Sequence, residues 1–183
     1  MQTFPDIDGA QNWYLTTKAS IAGLRDAVAN RKEYICDEVA DEIWGMPDAE
    51  WKLFYNEQID QHDMFATLAL FATCEGGIRR DFLWRSSGNY GQSHYQKFNK
   101  LRSDIKQKHV PLHRILDTWK AAIGRNHWFI NQLNILGDLF VVQRNELAHG
   151  KDNPRSYVFG HIYNKLDTIR CKWRDVTKDF DGF

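Results

Sequence analysis

Proline is scarce in this chain, with four residues in 183, at positions 5, 47, 111 and 154. Proline breaks helix interiors, so long helices remain open to the stretches between. Cysteine is scarcer, and Cys36, Cys74 and Cys171 are far apart. They form neither a disulfide framework nor a paired metal clip, and the expected address is a reducing cytoplasm. Mean hydropathy is −0.58, and no window reaches the ~18 apolar residues of a membrane-spanning helix. The segment MQTFPDIDGAQNW lacks a basic head followed by an apolar run, so no secretory signal is expected. A net charge of zero, from 24 Lys and Arg against 24 Asp and Glu, argues against a nonspecific nucleic-acid coat. The phosphate loops GxGxxG and GxxxxGK(S/T), the metal motif HExxH and the elbow GxSxG are all missing. No cofactor and no metal site is expected. His109 and His113 are four apart, but Pro111 lies between them and no acid stands in register.

What is present reads as one globular domain. Hydrophobic residues make up 43% and aromatics 14%, enough for a core without staples. No strand-like alternation persists, so the expected fold class is all-α, a single helical bundle of about five to seven helices. A first helix is expected from Gln11 to Ile43, broken near Asn30 and ended by Trp44-Gly45-Met46-Pro47. Residues 1–46 form an N-terminal helical extension packed on the bundle. Asp48 is placed to cap the next helix, Ala49 to Arg85, whose middle (Met64 to Ala72) is apolar nearly all round. That makes it the central helix, covered on most sides. A loop at 86–91 precedes a basic helix at 93–108, and Pro111 opens a short one over Leu112–Ile123, closed by Gly124. Trp128 to Ala148 carries one apolar face: Phe129, Leu133, Leu136, Phe140 and Leu147. Gly150 stands where a C-terminal glycine cap belongs, 151–154 is a turn, and a last helix spans 157–176.

Charge is balanced but not uniform. Residues 37–63 hold nine acids and one base; residues 97–114 hold six bases and one acid. Arg79, Arg80 and Arg85 form a further cluster. A polarised surface with one side suited to a phosphate chain is expected.

The stretch Val142-Gln143-Arg144-Asn145-Glu146-Leu147-Ala148-His149-Gly150 concentrates the chemistry. It places Arg, an amide and His at the end of an apolar helix. RNA cleavage suits this set, because the 2′-hydroxyl attacks its own neighbouring phosphate and no metal is strictly needed. A histidine moves protons near neutral pH. A guanidinium fork stabilises charge on the phosphorane. Residues five apart lie about 140° apart on an ideal helix. Arg144 and His149 therefore converge only if the helix frays at Ala148 or if two copies meet across a two-fold axis. An Arg followed by His after four to six residues occurs three times: Arg102/His109, Arg144/His149 and Arg155/His161. Only the second has Asn beside the Arg and an apolar helix leading in.

This stretch, in its RNxxAHG form, resembles the HEPN superfamily of all-helical ribonucleases and nucleotide-binding proteins. Leu70 to Asp81, with Glu75, Arg79 and Arg80 ending an apolar helix, resembles the helix that packs beside the motif in that family. The resemblance covers roughly 64–176. It implies a HEPN-like bundle and a metal-independent endoribonuclease acting on single-stranded or tRNA-like RNA. The expected products carry a 2′,3′-cyclic phosphate and a 5′-hydroxyl. Arg144, Asn145 and His149 are the implied catalytic residues, in a composite site at a homodimer interface. In the implied site either Glu75 positions Arg144, or Arg79 or Arg80 contacts RNA. Family members commonly serve as toxins or phage-defence effectors, which leaves room for an antitoxin or nucleotidyltransferase partner; no membrane partner is expected. The alternative is a non-catalytic HEPN module that binds RNA, a nucleotide or a protein. A third reading, an unrelated helical scaffold, would use Trp44, Trp51 or Trp84 at an interface.

Overall fold

A computed structural model describes residues 6–31, 37–87, 93–105, 110–125, 127–149 and 159–177. Every regular element among them is helical. In order they are α1 (Ile7–Arg31), α2 (Asp37–Ile43), α3 (Asp48–Arg85), α4 (Tyr95–Asp104), α5 (Leu112–Ile123), α6 (Ile130–Asp138), a π-helical segment (Leu139–Arg144), α7 (Asn145–Ala148) and α8 (Phe159–Thr177). The last three before α8 run into one another, so the described chain forms seven continuous helical stretches. This is the all-α bundle expected. Among the described residues no helix is long and apolar enough to cross a membrane.

Local chemistry sets the ends. α1 starts at Ile7 rather than Gln11 because the Asp6 carboxylate accepts the Gly9 N–H at 2.8 Å, an N-cap that supports the first turn. Asp48 is not the cap of α3: Pro47 occupies that position and Asp48 is the first helical residue. α5 spans Leu112–Ile123 as expected, between Pro111 and Gly124. Gly124 has φ 88°, a backbone state that disfavours any side chain. The basic helix ends at Asp104, earlier than expected. Gly150, the 151–154 turn, Cys36, His109 and Arg155 lie outside the described residues.

The core is aromatic. Trp119 and Trp173 are fully buried and meet edge to face at 5.3 Å; Phe98 and Phe129 close the cluster at 5.0 and 5.5 Å. Each such pair contributes about 0.5–1.5 kcal/mol beyond its area. The expected inward face, Phe129, Leu133, Leu136, Phe140 and Leu147, is buried throughout. So is Cys74, whose thiol is pushed up by burial and is inert. α1 contributes Ile7, Ala10 and Tyr14 to this core, while Val28 joins Ala40 and Ile43 in a second, smaller cluster.

The middle of α3 is covered on most sides, as expected: Ala66, Thr67, Leu70 and Phe71 are buried, and only the stripe of Phe65 and Ala72 faces solvent. Phe65, Ala72 and Arg79 are seven apart and share one face. One expectation about α3 is corrected: Arg79, Arg80 and Arg85 do not form a surface cluster, because Arg85 is fully buried. Its Nε donates to Asp81 Oδ1 at 2.8 Å, and Trp119 Nε1 donates to Asp81 Oδ2 at 3.0 Å. The guanidinium also bonds the carbonyl and hydroxyl of Ser93 and lies over the Trp119 ring at 4.7 Å. A buried ion pair with these added bonds fixes the α3–α4 junction; removing one partner of such a pair costs about 3–5 kcal/mol.

Candidate functional site: a cleft between the central helix, α5 and the motif helix

The motif lies where the helix changes its winding. Leu139 and Phe140 are adjacent yet both buried, whereas Val141 and Val142 are 64% and 48% exposed. The segment Leu139–Arg144 is π-helical, a local form that recurs at functional sites. Arg144 is its last residue and is exposed.

Asn145 ties this turn together. Its Nδ2 donates to the Val141 carbonyl at 3.0 Å, and its Oδ1 accepts from an Arg144 guanidinium nitrogen at 3.1 Å. The side chain thus uses donor and acceptor at once, and it holds the guanidinium of its neighbour.

A cleft of about 270 Å³ opens beside this pair. Glu75 and Arg79 of α3 form one wall, Leu112, His113 and Leu116 of α5 another, and Phe140, Val141, Arg144 and Asn145 a third. Four expected site residues, Glu75, Arg79, Arg144 and Asn145, therefore share one cavity although the motifs are 65 positions apart or more. Two others do not line it. Arg80 is half-buried elsewhere on α3, and His149 is exposed at the end of α7. The helix does stop at Ala148, with the His149 N–H on the Asn145 carbonyl at 3.0 Å. That ending does not bring the His149 side chain onto the cleft wall of its own copy.

Glu75 does not hold Arg144. Its Oε1 accepts both Nε and a terminal nitrogen of Arg79, at 2.8 and 2.6 Å. The remaining Arg79 terminal nitrogen donates to the Val110 carbonyl at 2.7 Å. The pair therefore pins the entrance of α5 to the central helix. His113, one turn along from Val110, was weighed in the sequence only as a metal ligand beside His109 and not as a residue of this site. The helix start at Pro111 says nothing about which wall the helix builds.

A second depression, about 410 Å³, lies between α4 and α5 and is lined by Lys97, Lys100, Asp104, Arg114, Asp117 and Thr118. It corresponds to the basic run seen in the sequence. Lys97 Nζ bonds the Ala121 carbonyl, holding the two helices together. Among the described residues, no carboxylate pairs with Lys100 or Arg114 within salt-bridge distance. Comparison with family models, with curated proteins and with solved structures finds no match for this chain.

Proposed function

We propose that this protein is a metal-independent endoribonuclease of HEPN type, acting as a toxin or phage-defence effector on single-stranded or tRNA-like RNA. The observation that carries this reading is the cleft that unites Arg144 and Asn145 with Glu75 and Arg79. Arg144, oriented by Asn145, binds the scissile phosphate and stabilises its transition-state charge. Arg79, paired with Glu75, shapes the α3 wall of the cleft. The α4–α5 groove supplies cations for the flanking phosphate chain.

His149 completes the site from a second copy. It sits off the cleft within one chain, so a two-fold partner is the natural route by which it meets Arg144. The exposed apolar residues of the motif helix, Val141 and Val142, suit such an interface. The test is cleavage of a mixed RNA pool in EDTA. The wild type should leave 2′,3′-cyclic phosphate ends, and Arg144→Ala and His149→Ala should each lose cleavage while remaining folded. A variant that cleaves at the wild-type rate would sink the assignment.

One observation favours the second reading, a module that binds RNA, a nucleotide or a protein without cutting. The cleft of a single chain contains the phosphate-binding groups but not His149. Binding of RNA with no cleavage by the wild type would point there.

A further inference from the structure

Cleavage by the 2′-hydroxyl moves two protons. The 2′ oxygen bonds to phosphorus as a base takes its proton. The bond from phosphorus to the 5′ oxygen breaks as an acid delivers a proton to that oxygen. The motif carries a single histidine, so one of these transfers has no group assigned.

The described histidines divide clearly. His62 is buried, with Nε2 donating to the Tyr14 carbonyl at 3.0 Å. His94 packs edge-on against Trp119, and His127 accepts the Phe129 N–H at Nδ1. His149 and His161 are exposed and off the cleft. His113 alone among the described histidines lines the cleft that holds Arg144 and Asn145. The other proton acceptor there, Glu75, already takes two bonds from Arg79. Both bonds fall on Oε1, so Glu75 is engaged as the partner that orients Arg79.

We infer that His113 is a proton-transfer residue of this cleft, with Arg79 as its positioning residue. Arg79 acts through Val110, whose carbonyl it holds at 2.7 Å immediately before α5 begins. The charged groups around His113 are Glu75 and Arg79 on α3, Arg144 on the motif helix, and Arg114 and Asp117 on α5 itself. With His149 from the partner copy, His113 makes the acid and base pair that the reaction needs. This assignment rests on the ribonuclease reading.

The experiment compares wild type, His113→Gln and His113→Ala on one defined single-stranded RNA in EDTA, from about pH 5 to about pH 9. The wild type should show a rate profile with two limbs. His113→Gln should lose one limb and slow cleavage by about 10²–10⁴-fold. Added imidazole should restore part of the lost rate to His113→Ala, which a merely structural role would not allow. Because His113 is exposed, both variants should keep the wild-type unfolding midpoint. Wild-type rate with both limbs intact in His113→Gln overturns this assignment and leaves the ribonuclease reading standing. A slowed variant that keeps both limbs and ignores imidazole overturns it equally. A wild type that cuts no RNA overturns the ribonuclease reading, and this assignment with it.

Discussion

Asp8 and Arg170 stand 162 positions apart and close the bundle through one carboxylate. Arg170 donates to Asp8 Oδ2 at 2.7 Å and to Oδ1 at 3.1 Å, and the Tyr163 hydroxyl donates to Oδ1 at 3.0 Å. The Arg170 bonds hold the Asp8 carboxyl below its ordinary range, while burial and the bond to Asp8 push the Tyr163 phenol up to about 12. A depressed carboxyl stabilises the fold above its unfolded value and loses that contribution as pH falls through the folded value. Stability should therefore drop on acidification below about pH 4, and Asp8→Asn should flatten that part of the curve. Asp8 is half exposed, so the contribution is about 1 kcal/mol or less. Urea unfolding at a series of acid pH values measures it, and an Asp8→Asn slope equal to wild type would show that other carboxyls set the acid limb. No local pattern announces this pair, since neither residue stands in a motif. Asp81 and Arg85 illustrate the same limit. The sequence groups Arg85 with Arg79 and Arg80, and only Trp119 arriving from α5 shows that Arg85 and Asp81 are a buried pair. Arg144 and Asn145 were legible for the opposite reason: their chemistry is adjacent in the chain and needs no distant partner to be seen.

Helix boundaries were readable where backbone chemistry forces them. Pro111 and Gly124 delimit α5 without reference to the rest of the fold. The π segment was not readable, because its apolar spacing is also that of an α-helix: the adjacent buried pair Leu139 and Phe140 has a counterpart in Ile115 and Leu116 of α5. The pairing of α4 with α5 is likewise tertiary, yet the basic run across them was visible. Its described groove cations, Lys97, Lys100 and Arg114, line one depression, where the proposed RNA strand would run. Replacing all three by Gln should weaken binding of single-stranded RNA at low salt. The slope of log affinity against log salt should become shallower by about two, at ~0.7 per phosphate contact on a single strand. Fluorescence anisotropy across a salt series reads this directly. An unchanged slope would place the RNA elsewhere on the molecule.

The bundle as a whole follows from scarce proline and long apolar periodicity, and the expected all-α architecture is the observed one. Its assembly does not follow in the same way. What bears on it is the cleft with Val141 in its wall, the exposed Val142 beside it in the chain, and His149 exposed at the end of the motif helix. If the site is shared, Arg144 of one copy works with His149 of the other. Arg144→Ala and His149→Ala proteins would each be inactive, yet a mixed dimer would hold one complete site and one doubly broken one. The decisive measurement is RNA cleavage in EDTA by the two variants, separately and after co-refolding in equal amounts. Random pairing makes half the dimers mixed, so recovery of about a quarter of wild-type activity is expected. Silence from the co-refolded mixture, with mixed dimers shown to be present, would contradict a site built from two copies.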